Sequence, residues 1–324
     1  MDPATPTQEH ILKGASRLRF RSPEDSLPEV RQGIHRWWWE FLRLSKDYWL
    51  LCQTSQRHRP ETQDREFARV YRAFGDVYSM SFDDWWLDRG SWVFREREAF
   101  PKVAELPRGN KDRARHRLLQ DHIWVDIPLK LSRRTIQRQL GKILDAYEEL
   151  RLDNRLALSS SDFKINAVPF RLHALRKMHE LHSLHRELIV KPKALEALGK
   201  SNAYQRRADL FRIGKLLRIS PSNENLRGEP TEIAKRQNRM RVSVSRLLKR
   251  SELLIANVER GVFPSFKALD PPSPTRFNSR QLEAHKELEE GWWQLDLTSS
   301  LSAGKLDEAR RIHYEEELKG RQRF

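Results

Sequence analysis

The stretch TEIAKRQNRMRVSVSRLLKRSELLIANVER, residues 231–260, decides how most of this chain is expected to fold. Its apolar side chains recur at steps of three, four or seven residues, a spacing typical of an amphipathic helix. The members of this apolar stripe are Ile233, Met240, Val244, Leu247, Leu254 and Val258. The stretch therefore predicts one long helix that packs along one side.

The opposite side of the predicted helix is strongly basic. Residues 231–250 hold seven bases and a single acid, Glu232, so few acidic neighbours one turn away can screen the positive charge. The bases are Lys235, Arg239, Arg246, Lys249 and Arg250 on the far side, with Arg236 and Arg241 at its flanks. A charge run is usually a solvated surface, but a face this poorly screened favours a polyanion such as nucleic-acid phosphate. The pattern indicates no base sequence.

The composition agrees with an anionic partner. The 324 residues include 61 Lys and Arg against 45 Asp and Glu, a formal net charge of +16. Such an excess promotes association with DNA, RNA or an anionic membrane surface and says nothing about fold. The helix lacks the large aromatic face of membrane-surface helices, so we expect no membrane partner.

Hydropathy and cysteine content limit the class of protein. Hydrophobic residues make up 38% of the chain, which is low for one large globule, while ten Trp and fourteen Phe argue against disorder. Cys52 is the single cysteine, so neither an intramolecular disulfide nor a multi-cysteine metal site is expected. Without a secretory or membrane-spanning run, we expect a cytoplasmic or nucleoid-associated, intracellular protein.

The fold class predicted from these patterns is mainly α, a multi-domain helical protein with at most a minor β element. That element is HIWVDIPLK, around 122–130, in which apolar residues alternate until Pro128. The predicted division is a flexible segment at 1–25, a Trp-rich helical domain with one strand at 26–152, a basic helical domain at 163–262, a Pro-rich linker at 263–278 and a C-terminal helical pair at 279–324.

The Trp-rich region is predicted to begin with a long helix. Ser26 and Glu29 have the spacing of a capping box, and the helical pattern continues to about residue 52. It includes Trp37, Trp38 and Trp39, which cover three directions of the helix and so cannot all face one core. Burial as large core and interface side chains is the preferred interpretation, also for Trp85, Trp86 and Trp92. Stacking on unpaired bases and anchoring of a protein partner are the alternatives.

A second basic helix is predicted after Ser132. Its apolar residues Ile136, Leu140, Ile143, Leu144 and Tyr147 are expected to pack inward, whereas Arg134, Arg138 and Lys142 share an outer face. SRRTIQRQLGKIL resembles the recognition helix of helix-turn-helix modules over about fifteen residues. That resemblance implies contact of Arg134, Gln137 and Arg138 with base edges. In a helix-turn-helix module a helix comes before the recognition helix, but here the sequence predicts a strand at 122–130. A β–α unit with a basic surface is therefore an equal alternative.

Motifs for catalysis are weak. His173, His179, His182 and His185 lie in one predicted, partly solvated helix, but HELH lacks the spacing of a zinc-protease motif. Asp83, Asp84, Asp88 and Asp126 are too poorly arranged to indicate a metal-dependent nuclease. We therefore predict no catalytic residues, no metal ligands and no cofactor.

The sequence thus favours a non-catalytic nucleic-acid-binding protein, with DNA favoured over RNA and a regulatory or accessory role, for instance on a replicon or mobile element. A structural subunit of a larger nucleoprotein or DNA-processing complex, joined through the Trp clusters, is the first alternative. A metal-dependent nuclease with an unrecognised carboxylate site is the second.

Overall fold

The computed structural model describes residues 10–12, 18–55, 59–96, 125, 127–146, 161–165, 171–200, 208–270 and 276–322. They belong to two units, one made of 1–95 with 161–324 and the other of 96–160.

Helices make up most of the described residues. The first part of the chain forms α1 Pro23–Val30, α2 Ile34–Arg43, α3 Lys46–Thr54, α4 Arg65–Phe74, α5 Phe82–Trp85 and α6 Ser91–Phe94, with a π-helical turn Trp86–Gly90 between the last two. The rest forms α7 Arg133–Asp145, α8 Leu172–His185, α9 Lys191–Ala197, α10 Leu210–Leu216, α11 Pro230–Val258, α12 Ser279–Gln294 and α13 Ala303–Arg321. The mainly α prediction is confirmed, including the long helix quoted first.

The β structure lies elsewhere than predicted. Two short strands, β1 His10–Leu12 and β2 Leu18–Phe20, pair antiparallel with His10 opposite Phe20. Of the predicted strand at 122–130, Val125 and 127–130 are not in a strand, and the other positions lie outside the described residues. The Leu131 N–H donates to the Pro128 carbonyl at 3.1 Å, which closes a turn before α7 begins.

The first helical stretch is divided into three helices, which corrects the prediction of one continuous helix. The chain breaks at Gly33, the N-cap of α2, and at Ser45, whose side chain accepts the Tyr48 N–H. The predicted cap at Ser26 is also wrong, because α1 begins four residues earlier with Asp25 accepting the Ser22 N–H at 3.0 Å. Ser26 is buried, and its hydroxyl joins the Pro23 carbonyl to the Trp86 indole.

Helix α2 lies at the centre of the larger hydrophobic cluster. Every residue from Ile34 to Leu42 is buried. Trp38 packs on Phe74 and Phe94, Trp39 on Phe82 and Trp85, and Trp37 on Phe41 and His179. The three tryptophans point in different directions, as expected, and the surrounding layers bury each of them.

The predicted burial of tryptophans is confirmed at Trp37, Trp38, Trp39, Trp85 and Trp86. It is wrong for Trp92, whose exposed fraction is 50% and whose ring faces the Arg95 guanidinium at 4.1 Å. Trp92 lies in α6, where the neighbouring Val93 and Phe94 occupy the buried side.

The same cluster joins distant segments of the chain. It includes Trp38 of α2, Val258 of α11 and Trp292 of α12. A second cluster holds Leu181 and Leu184 of α8 together with Phe211 of α10 and Leu306 of α13. The predicted domain borders remain predictions. Described side chains on both sides of the predicted linker, 263–278, lie in one core.

Two groups of charged side chains are buried beside the larger cluster as ion pairs. Glu40 is fully buried and accepts from Arg36 Nε at 2.7 Å and from Ser299 Oγ at 3.0 Å. Arg43 Nη1 lies 3.6 Å from the second Glu40 oxygen. A further buried pair joins Glu259 of the α11 C-cap to Arg276, which also binds Asp47 at 2.7 Å.

Candidate nucleic-acid interface

The basic face of α11 follows directly from helix geometry. At 100° per residue, Lys235, Arg239, Arg246, Lys249 and Arg250 fall within an arc of about 100°, over a length of about 22 Å. All five of these side chains are exposed. Arg236 and Arg241, predicted at the flanks, are half-buried. The two-sided helix predicted from the sequence is therefore present, and we refer to its five exposed bases as the basic face.

Packing holds this helix in place on its other side. Met240, Val244 and Leu248 belong to the smaller hydrophobic cluster, whereas Leu254 and Val258 belong to the larger one. Of the predicted stripe, Ile233 and Leu247 are only half-buried. The half-buried Leu247 packs against both clusters, so α11 forms a wall that the two share.

The contact of α10 with α11 is especially close. A Cβ added at Gly214 of α10 would lie 2.6 Å from Met240 Sδ and 2.8 Å from Val244 Cγ2. Glycine at this position therefore lets the two helices approach each other. The basic face is thus presented by a supported helix rather than by a free one.

Three of the bases predicted to bind have partners within the protein. Lys235 pairs with Glu232 at 2.9 Å, and Arg236 donates to the Arg227 carbonyl. Arg241 pairs with Asp209 at 2.8 Å. Burial raises the pKa of Asp209, but hydrogen bonds from Arg241 and from the Arg212 N–H outweigh it and lower that pKa overall. The sequence did not indicate Asp209, because it lies 32 positions from Arg241.

The remaining four bases are poorly neutralised. Among the described residues, no acid lies within ion-pair distance of Arg239, Arg246, Lys249 or Arg250. Arg250 also lies over the Phe266 ring at 5.7 Å. Like charges held this close repel one another unless anions neutralise them, and the repulsion is strongest at low salt. This part of the basic face is therefore the best place for an anionic ligand.

Helix α7 has the predicted cap but not the predicted packing. Ser132 Oγ accepts the Thr135 N–H at 3.2 Å, and Arg134, Gln137, Arg138 and Lys142 are exposed. None of the described residues of α7 is buried. Of the residues expected to pack inward, Ile136, Leu140 and Leu144 are half-buried, Ile143 is exposed, and Tyr147 lies outside the described residues.

A helix-turn-helix module has a helix just before its recognition helix, and the described residues before α7 form no such helix. Val125 and residues 127–132, which precede α7, form coil and a turn, and 97–124 lie outside the described residues. Because α7 and α11 belong to different units, each is treated as a separate basic surface.

The histidine-rich helix is less solvated than predicted. His173 is exposed, His182 and His185 are half-buried, and His179 is fully buried. Burial lowers the pKa of His179 although the Glu40 carboxylate, 4.0 Å away, raises it in part. Within the described parts of the chain, no group of three or more His, Cys, Asp or Glu is placed to hold a metal ion.

The carboxylates considered for a nuclease are engaged in structural contacts. Asp83 binds Arg31 through both oxygens, at 3.0 and 2.8 Å, and Asp84 accepts from Ser81 Oγ at 2.6 Å. Asp88 pairs with Arg89 at 3.1 Å, and Asp126 lies outside the described residues. Asp84 thus belongs to the Ser81 cap, as its spacing indicates.

One polar cleft was not predicted. It is lined by bases from three separate segments, among them Lys177 of α8, Lys215 and Arg218 at the end of α10, and Lys305 of α13. These bases are too far apart in the chain for any local spacing to predict that they meet. The helical period predicts only which side of its own helix each base lies on.

Membrane-spanning helices and similarity to known proteins also bear on function. None of the described helices is both long enough and apolar enough to cross a bilayer. Comparison of the chain with protein-family models, with curated proteins and with solved structures gave no match. The inference of function therefore rests on the geometry and charge of these surfaces.

Proposed function

We propose that this protein binds nucleic acid, with duplex DNA as the favoured ligand, in a regulatory or accessory role that needs no catalysis. The observation that carries the proposal is the set of Arg239, Arg246, Lys249 and Arg250, exposed on one side of α11 and unpaired with any described acid. A cytoplasmic or nucleoid-associated location belongs to the same proposal.

The mode of binding follows from the spacing of the bases. The basic face extends for about 22 Å, and duplex DNA carries one negative charge per about 1.7 Å of helix axis, so several phosphates lie within its reach. Arginine can bind two phosphate oxygens with its planar group. Binding would release counterions from the nucleic acid and would weaken steeply with salt.

Sequence-specific recognition is not required by this surface. Phosphate contacts fix orientation and carry no base information. Helix α7 is proposed as a second contact, through Arg134, Gln137, Arg138 and Lys142, which are all exposed. Its bases are chemically suited to phosphate and to guanine alike.

The two alternatives receive less support. The Trp clusters that would anchor a partner subunit are inside the core, with Trp92 as the exposed member. Of the carboxylates considered for a nuclease metal, the described ones, Asp83, Asp84 and Asp88, are bound to Arg31, Ser81 and Arg89. Binding by the basic face is therefore the function that we test first.

The decisive experiment compares two triple variants of equal charge. Arg239→Ala/Arg246→Ala/Arg250→Ala removes three bases of the face, whereas Lys193→Ala/Arg280→Ala/Lys319→Ala removes three exposed bases elsewhere. Duplex DNA, single-stranded DNA and RNA are titrated by fluorescence anisotropy across a salt series.

We expect the face variant to bind more weakly to all sequences and to lose up to about three units of salt dependence, one per contact. The control variant should keep the salt slope of the wild type. Equal slopes for a folded face variant and the wild type would refute binding by α11.

A further inference from the structure

A polar cleft of about 640 Å³ opens between α8, the C-terminal end of α10 and α13. Its volume is in the range of small-molecule sites. Six Lys and Arg side chains and four Glu side chains line it, which leaves a formal excess of two positive charges. Leu216 and Ile312 contribute apolar wall. The cleft is separate in composition from the basic face, since none of the five bases of that face lines it.

Part of this charge is already neutralised. Arg176 binds Glu180 at 2.8 Å, and Arg212 binds Glu316. The four remaining bases are Lys177, Lys215, Arg218 and Lys305, and none of them forms an ion pair with a described acid. The excess of two matches the charge of a phosphate monoester, which is close to −2 at neutral pH.

Two residues that line the cleft each hold a buried polar atom without a hydrogen-bond partner among the described residues: Arg212 Nε, a donor, and Glu224 Oε1, an acceptor. Burying such groups without a partner is unfavourable. A ligand that contacts these two lining side chains can accept from the Arg212 guanidinium and donate to the Glu224 carboxylate. Phosphate oxygens accept, and hydroxyl groups such as those of a sugar donate.

Arg218 adds a conformational argument. Its φ is 51°, in the left-handed region that non-glycine residues seldom adopt. It ends α10, where its N–H donates to the Lys215 carbonyl, and its own carbonyl accepts from Lys177 Nζ at 3.3 Å. Glycine would adopt this backbone without steric cost. An arginine held in this conformation in the lining of a cationic cleft points to a role for its side chain.

We propose that this cleft binds a small phosphate monoester that carries hydroxyl groups, such as a sugar phosphate or a nucleoside monophosphate. Lys215, Arg218 and Lys305 bind the phosphate, Arg212 adds a donor, and Glu224 accepts from a hydroxyl group. The apolar side chains Leu216 and Ile312 contact the body of the ligand.

The test is calorimetric titration of the full-length protein with AMP, ribose 5-phosphate and inorganic phosphate. Arg218→Gly is the key variant, because glycine suits the left-handed backbone and should not lower the melting temperature. We expect it to weaken binding by about tenfold or more through loss of charge-assisted contacts. Lys319→Ala, outside the cleft, should bind as the wild type does.

Further variants separate the parts of the proposal. Glu224→Gln should weaken binding of AMP and ribose 5-phosphate but not of inorganic phosphate, and Lys215→Ala should weaken all three. No binding at millimolar ligand, or inorganic phosphate bound as tightly as the esters, would overturn the proposal. Equal losses in Arg218→Gly and Lys319→Ala would do the same. If Arg218→Gly weakens duplex DNA binding while no small ligand binds, the cleft contacts nucleic acid and the proposal is wrong. These outcomes do not depend on the basic face of α11.

Discussion

Helices α2 and α11 both carry arginines, but they differ in whether those arginines have acidic partners. Helix α2 is buried from Ile34 to Leu42, and its Arg36 and Glu40 neutralise each other inside the core. Helix α11 buries only one side, and its exposed Arg239 and Arg246 have no acidic partner among the described residues. Where removal from water makes an unpaired charge costly, the chain supplies a partner. At Arg239 and Arg246, where water lowers that cost, no described acid is a partner.

The contrast between α2 and α11 predicts which charged residues matter for stability and which matter for binding. A buried ion pair contributes little net stability, but loss of one partner leaves a charge in an apolar environment. An exposed base contributes little to stability in either case. Substitutions in α2 should therefore lower the stability of the protein, whereas substitutions on the basic face should change binding and leave the fold intact.

The largest expected effect is at Glu40. Glu40→Gln keeps the shape of the side chain but leaves Arg36 and Arg43 without their carboxylate, and should lower the free energy of unfolding by about 3–5 kcal/mol. Urea denaturation followed by circular dichroism measures this change. Glu283→Gln, which breaks an exposed pair with Lys286, is the control and should have almost no effect. Equal stability of the two variants would contradict the comparison.

A smaller effect is expected where α11 is supported. Gly214→Val should overpack the contact with Met240 and Val244 and lower the free energy of unfolding by about 1–3 kcal/mol. Gly141→Val in α7 is the matched control, because no heavy atom lies within 4 Å of a Cβ added there. Thermal melts of both variants test whether the packing of α10 on α11 is as close as the structure shows.

The pH dependence of stability should reflect His182, which is half-buried but has its Nδ1 removed from water. Burial lowers the pKa of His182 to about 3, and the neighbouring His179, His185 and Arg186 lower it further in the same direction. The unfolded chain, in which the pKa of a histidine is about 6.5, then binds the proton more tightly, so stability falls as pH drops below that value. The loss is at most about 1.4 kcal/mol per pH unit.

His182→Gln removes this contribution. Its stability should decline less than that of the wild type between pH 7 and pH 5.5, as measured by urea denaturation at several pH values. The exposed His173 provides the control, and His173→Gln should follow the wild-type curve. Parallel curves for wild type and His182→Gln would show that His182 takes up its proton in the folded state.

The smallest effect on stability is expected on the basic face. Arg246→Ala should change the free energy of unfolding by less than about 0.5 kcal/mol, because the side chain is exposed and has no described acidic partner. The same variant should bind duplex DNA more weakly at low salt than the wild type. A marked loss of stability would mean that the face is structural, and the contrast with α2 would not hold.

Local patterns predicted much of this structure. The apolar period of 231–260 predicted α11 and its two sides, and Ser132 predicted the helix start that it caps. Two helices predicted at the C-terminal end are present as Ser279–Gln294 and Ala303–Arg321. These features depend on contacts within a few residues, which a single sequence records.

Other features depend on residues far apart in the chain. The breaks at Gly33 and Ser45 place α2 where layers from several segments surround it, so its complete burial is not visible in its own period. The pairing of Arg241 with Asp209 and the cleft at Arg218 arise from the same long-range packing. The basic face of α11 could be predicted from the sequence. The ion pair of Arg241 with Asp209 and the polar cleft could not.

The shared position of α11 between the two hydrophobic clusters has a consequence for how the protein opens. Local opening of either cluster must expose part of the same helix, so neither cluster can loosen without disturbing the other. The backbone amides between Met240 and Val258 should therefore belong to the most slowly exchanging set and report global unfolding. A ligand on the basic face would then protect amides in both clusters at once, far from the atoms that it touches.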